Sequence, residues 1–204
     1  MKIVDYHIHS DNSFDGKSTI DEMCKSSINL GLHEICFTEH FSVDPKDVSF
    51  GVLSFSRYSK EIDEAIIKYS ETIVIKKGLE IGEPHLKEYE KNLKDSIKTF
   101  DLDFIIGSIH NINSEKIRVF MKNKTKYEIY KNYFEEVLKM VEVSDIDSLG
   151  HMDLVKRYAF KEYGNYDFNE YKEIITKILK KIINRSIALE VNTSGISDGV
   201  NEVY

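Results

Sequence analysis

Short apolar runs alternate with longer amphipathic segments along the whole chain. The runs are Lys2–Tyr6, Glu34–Thr38, Thr72–Ile81, Leu102–Ile109, Ile146–Leu149 and Ser186–Val191. Each is partly β-branched or aromatic and of strand length, which predicts six strands. Between them, apolar residues recur at helical spacing over Arg57–Glu71, Lys87–Thr99, Lys126–Val141 and Asn169–Asn184. Ser18-Thr19-Ile20-Asp21 has the form of a capping box with Asp in place of Glu, and Met23, Ile28 and Leu30 follow it as an apolar stripe. No linker, low-complexity tract or repeat interrupts the alternation. Strands and helices in turn imply an α/β architecture, with parallel strands and helices outside them.

Polar, metal-capable residues stand where the strands end. His7 and His9 follow the first run and His40 the second, in "ICFTEH". Glu80 closes the third, His110 the fourth and His151 the fifth, in "GLEIG", "GSIH" and "GHMD". Glu190 and Asn192 end the sixth. In a barrel of parallel strands the carboxyl ends form one face, and active sites are built there. One histidine at a strand end is commonly a hydrogen-bonded structural residue. Five in such regular places, out of seven in the chain, point to shared chemistry.

Composition narrows the class. The 204 residues suffice for a single domain with a substantial core. A formal net charge of -7 argues against electrostatically driven binding to nucleic acid or a membrane surface. Two cysteines, Cys24 and Cys36, without a secretory signal, are expected as buried thiols in a reducing cytoplasm. No stretch approaches bilayer length.

The H-x-H pair is the most specific local element. Residues i and i+2 of a strand share a face, so both imidazoles can reach one ion. Glu80 lies between Leu79 and Ile81, so an alternating strand aims it away from them, and a buried carboxylate needs a partner such as a metal. Asp15, before Gly16, reads equally as a turn residue or as an acidic ligand. His33 fits a helix end, His85 the surface or the surroundings of a site, and the cysteines core packing. The run Lys122–Lys126 is expected to be a solvated loop. Imidazoles with carboxylates suit zinc, manganese or iron. Five histidines and two acids exceed one tetrahedral site, and paired ions suit hydrolysis of a phosphate ester or an amide-like bond. No G-x-x-x-x-G-K-[ST] loop or G-x-S-x-G elbow is present.

In this order and spacing, "DYHIHSDNSFDG", "FTEH", "GLEIG", "GSIH" and "GHMD" resemble the polymerase and histidinol phosphatase (PHP) family of metal-dependent phosphoesterases. "GSIHNIN" and "DSLGHMDLVKRY" resemble most its monofunctional histidinol-phosphate phosphatases. The resemblance implies a distorted (β/α)7 TIM-like barrel and a centre of two to three divalent ions. It assigns His7, His9 and Glu80 to the first ion, Glu80 as bridge with His110 and His151 to the second, and Asp15 with His40 to the third. Arg157 becomes the candidate for the substrate phosphate, because guanidinium matches phosphate bidentately. The implied reaction is hydrolysis of L-histidinol phosphate in histidine biosynthesis, a metal-bound hydroxide attacking phosphorus. A PHP-type nucleotide or nucleic-acid phosphoesterase and a non-catalytic metal-binding relic are the alternatives.

The sequence departs from the family at its end. The closing Asp-x-His motif has no counterpart after His151, and Asp198 is followed by Gly199 and Val200. A fragment, a natural variant completed by association and a degenerate copy each account for this. A fragment is the expectation, because a barrel without its last strand exposes edges and core.

Overall fold

The structure, a computed structural model, describes residues 2–204. The chain divides into two compact units: residues up to Gly82 with Leu86–Ile106, and Glu83–His85 with Gly107–Tyr204.

The first unit contains β1 (Val4–Ile8), α1 (Ile20–Asn29), β2 (Glu34–Phe41), α2 (Phe55–Tyr69), β3 (Val74–Gly82) and α3 (Glu90–Ile97). β1 pairs with β2 and β2 with β3, both in parallel. These strands end one to three residues later than the apolar runs, so His7 and His40 lie inside strands, as Glu80 does, and His9 follows Ile8 directly. β2 is buried along almost its whole length, its apolar half Ile35–Phe37 as well as the polar Thr38, Glu39 and His40 that follow. Ile35, Phe37, Leu79, Tyr58 and Ile62 are fully buried in the core of this unit. The Tyr58 hydroxyl sits there because it donates to carbonyl oxygens of Phe37 and Gly78, both at 2.8 Å.

The helix start expected at Ser18 lies one residue later. Thr19 is the N-cap, its side chain accepting from the Glu22 amide, while the Glu22 carboxylate accepts from the Thr19 amide. Glutamate at the third helical position reaches back to the cap, which the shorter Asp21 does not do. Ile20, Cys24 and Ser27 form the buried stripe of α1, and Leu30 is exposed.

The second unit contains a two-stranded hairpin, β5 (Asn111–Ile112) and β6 (Glu115–Lys116), which the apolar pattern does not announce. Its turn, Asn113-Ser114, has φ of 50° and 62°, the left-handed pair a two-residue hairpin requires. α4 (Ile117–Phe120), α5 (Lys126–Val143), α6 (Val155–Tyr163), α7 (Phe168–Arg185) and α8 (Ser194–Ser197) follow, with β7 (Ser148–Leu149) before α6 and β8 (Ala188–Leu189) after α7. α6 is a further element without a predicted counterpart; its first turn buries Val155 and Lys156. β7 and β8 are parallel and much shorter than the apolar runs that contain them, with Ala188 and Leu189 both exposed. α5 packs against α7 through Tyr130, Phe134 and Tyr171. Thr125 and Glu128 form a second capping box at the start of α5. Replacing Thr125 by alanine is expected to cost about 1 kcal/mol, measured as a shift in the urea midpoint with unchanged slope.

β4 (Phe104–Ser108) spans the division between the units. In sheet order the strands run β1-β2-β3-β4-β7-β8, the six that the apolar runs predict for a (β/α)7-type barrel lacking its last strand. The fold is α/β as expected. Among the described residues no helix is long and apolar enough to cross a membrane.

Candidate metal centre

In the first unit five predicted ligands come together. His40 and Glu80 are register partners on the adjacent parallel strands β2 and β3, so their side chains leave the sheet side by side. β1 contributes His7, and the residue after its end contributes His9. The β1–β2 register shifts between Asp5 and Ile8, so the pair does not sit on a regular strand, yet both imidazoles reach the same point. His7 Nε2, His9 Nε2 and His40 Nδ1 each lie 3.1 Å from Glu80 Oε2. Glu80 is 1% exposed, which settles its orientation inward. Asp15 closes the cluster, Oδ1 3.1 Å from His9 Nδ1 and Oδ2 3.4 Å from His40 Nε2. The structure therefore makes Asp15 a member of the cluster as well as a turn residue. Phe14 stacks on the His40 ring at 4.8 Å between centroids.

The electrostatics of this cluster suit a cation. Burial opposes a charge on His9, but the carboxylates of Asp15 and Glu80 beside it push its imidazole up to about 9. Burial would raise Asp15, but His40 and His9 outweigh it and hold its carboxyl well below the usual range. One carboxylate oxygen has too few lone pairs to accept well-formed hydrogen bonds from three rings. His9 Nε2 is buried, 3.1 Å from Glu80 Oε2. The ligand atoms of His9, His40 and Glu80 all lie within 4.8 Å of one another. Nitrogen and oxygen donors converging in this way fit a divalent ion of the zinc, manganese or iron type.

In the second unit His110 follows β4 and His151 follows β7, with ring centroids 5.4 Å apart. His151 has φ of 22°, an uncommon conformation for a side-chain-bearing residue, and its amide donates to the Glu190 carboxylate. The Glu83 carboxylate accepts from the amides of His110 and Asn111 and from the Asn111 side chain, and burial raises its pKa. These anchors fix the backbone that carries both histidines. Of the two places expected for His85, the exposed surface is excluded, because its side chain is only 6% exposed. Its Nε2 is 2.9 Å from Glu136, whose pKa falls to about 2 because His85 and Lys139 outweigh its burial. Arg157 lies in α6, its guanidinium donating to Asp198 at 2.7 Å and to the Ser194 hydroxyl at 2.9 Å.

Sequence reasoning missed Glu39, Ser10, Ser13 and Glu83. Glu39 was visible as an acid next to His40 in "CFTEHF". Nothing local marked Glu83, whose role depends on the distant amides it accepts from. His33 lies in the turn after α1, where its amide donates to the Ile3 carbonyl at 2.8 Å. Cys24 and Cys36 are buried without a disulfide, as core residues.

Residues 5–194 match the PHP domain. The histidinol-phosphatase of Lactococcus lactis is 32% identical over 212 residues, spanning 100% of this chain and 76% of that protein. A Clostridium acetobutylicum protein named "Probable histidinol-phosphatase" is also 32% identical, over 94% of this chain and 73% of its own length. The crystal structure of the Lactococcus lactis histidinol phosphate phosphatase complexed with zinc, L-histidinol and phosphate superposes with a TM-score of 0.87 at 32% identity, covering 98% of this chain and 76% of that one. With the cluster of His7, His9, His40, Asp15 and Glu80 on its strand ends, this chain belongs to the PHP domain family.

Proposed function

We propose that this chain hydrolyses L-histidinol phosphate to L-histidinol and inorganic phosphate, serving histidine biosynthesis in the cytoplasm. The observation that carries the reading is the convergence of three imidazoles on Glu80 Oε2 with Asp15 beside them, in a chain similar over its full length to histidinol-phosphatases. His7, His9, Asp15, His40 and Glu80 would hold divalent ions, and His110 and His151 are further proposed ligands, for two to three ions in all. Bound there, such ions would polarise the phosphoryl oxygens and supply hydroxide at neutral pH. Nearly complete burial of Glu80 lowers the local dielectric, which strengthens the hold of its carboxylate on a cation.

Arg157 is the proposed phosphate-binding residue. Its hydrogen bonds to Asp198 and Ser194 orient the guanidinium, and a substrate phosphate would compete with Asp198 for the same N–H groups. Replacing Arg157 by alanine removes a charge-assisted contact of about 1.5–3 kcal/mol, so KM is expected to rise roughly 10–100-fold in steady-state assays. An unchanged KM would remove Arg157 from the site.

The deciding experiment combines metal analysis with phosphate release. The full chain, prepared with manganese or zinc, is expected to hold at least two equivalents and to release phosphate from L-histidinol phosphate. Chelation abolishes turnover and re-addition of metal restores it. Metal uptake with turnover of DNA 3′ ends or nucleotides but not of histidinol phosphate would favour the broader PHP phosphoesterase reading. Metal uptake with no turnover on any of these would leave a binding module.

A further inference from the structure

Glu39 takes no part in the cluster, yet it is fully buried in β2 immediately before His40. Its carboxylate accepts from the Ser10 amide at 3.0 and 3.1 Å, from the Ser10 hydroxyl at 2.6 Å and from the Ser13 hydroxyl at 2.6 Å. The Ser13 oxygen accepts in turn from the His40 amide at 2.9 Å. Asn12 extends the network, donating to the Ser10 hydroxyl at 3.0 Å and to Glu61 on α2 at 2.8 Å. Arg57 on the same helix binds both Glu61 and Asp11.

Every donor reaching Glu39 comes from the stretch between His9 and Asp15. That stretch is irregular, a succession of turns and bends, so no helix or strand ladder dictates where Asp15 falls. The Asp15 side chain is 46% exposed, so close packing does not hold it either. Its place opposite His9 and His40 follows from the path of its backbone, and Glu39 ties that path to β2. Burying a carboxylate for packing alone would be unfavourable, because an apolar side chain fills the same space without the desolvation cost.

We propose that Glu39 is a positioning residue: it fastens the Ser10–Ser13 loop to β2 so that Asp15 meets His9 and His40, and thereby builds the ion site those three share. This rests on the metal-ligand reading given under Proposed function. A glutamine at this position keeps one oxygen for the Ser10 amide and turns its NH₂ toward the Ser13 oxygen, so much of the network survives. An alanine leaves the Ser10 amide buried and unmatched.

The test compares wild-type full chain with Asp15→Ala, Glu39→Ala, Glu39→Gln and Ser13→Ala. Each metal-stripped protein is titrated with Mn²⁺, and hydrogen exchange is followed in the metal-free state. In Glu39→Ala one Mn²⁺ equivalent is expected to weaken by about 10–100-fold, the same equivalent that Asp15→Ala loses. Exchange should quicken over residues 10–16 while β2 and β3 stay protected. Glu39→Gln should recover most of the affinity. Ser13→Ala removes a single hydroxyl and should move both readouts in the same direction, which covers the case that Glu39→Ala fails to fold. Unchanged Mn²⁺ binding in Glu39→Ala and Ser13→Ala, or exchange raised uniformly across the sheet, would overturn the proposal. If wild type takes up no Mn²⁺, the metal-centre reading fails on its own, and unaltered exchange over residues 10–16 in the variants would then refute the positioning role.

Discussion

Replacing Glu80 by glutamine is expected to lower kcat/KM for phosphate release by about three orders of magnitude, roughly 4 kcal/mol of transition-state stabilisation. The reason is geometric. Glu80 Oε2 lies 3.1 Å from a nitrogen of each of His7, His9 and His40, so it is an acceptor common to the three rings. An amide has almost the same shape but no charge, and half of its head group is a donor that would face those nitrogens. The cluster would then lose its central anion at a position that water barely reaches. Metal binding gives a second readout. Wild type saturated at about 100 times its Kd gains roughly 2.7 kcal/mol of stability from the bound ion, and Glu80→Gln should gain far less at the same concentration. A variant that kept a tenth of the activity and the full metal-induced rise in Tm would show that Glu80 does not organise the centre.

Gly16→Ala is expected to be the most damaging change of a single methyl group near the site. A Cβ at residue 16 would stand 1.8 Å from the Ser10 carbonyl oxygen and 2.4 Å from its carbon. That carbonyl also accepts from the Ser13 amide at 3.0 Å, so it cannot yield without opening the loop. Overpacking against backbone costs about 1–3 kcal/mol, a fall of roughly 3–10 °C in Tm for a chain of this size. Because Asp15 is the next residue, metal content and turnover should fall with stability. Gly31→Ala is the control. Gly31 has φ of +75° and no atom within 4 Å of an added Cβ, so alanine there is strained but unobstructed. It should lose stability, about 1 kcal/mol, with metal content and KM unchanged. Equal loss of metal in both variants would show that Gly16 acts only through global stability.

The six strands and the principal helices follow from periodicity alone, because the burial that creates a two-residue or 3.6-residue pattern is local to each element. The candidate ligands are marked in the sequence as well. Histidines and acids at successive strand ends are too regular for structural residues, and the H-x-H spacing is explicit in "HIHS". Single residues deceived where short-range geometry decides. Thr19 rather than Ser18 caps α1, since Glu22 and not Asp21 has the reach. The Asn113–Ser114 hairpin depended on positive φ at two non-glycine positions, and α6 on burial of Val155 and Lys156 rather than on a clear stripe.

The amino-acid sequence by itself determined the α/β alternation, the family and the residues able to bind metal, since all of these are carried by residue type and spacing. Tertiary structure alone decided the rest. Parallel register placed His40 beside Glu80. A buried network through Glu39 fixed the path from His9 to Asp15, turning an ambiguous turn residue into part of the cluster. The His85 side chain, open to either the surface or the surroundings of a site, turned inward to meet Glu136. Each outcome depends on residues 26 to 51 positions apart in sequence, a separation over which neither propensity nor periodicity carries information.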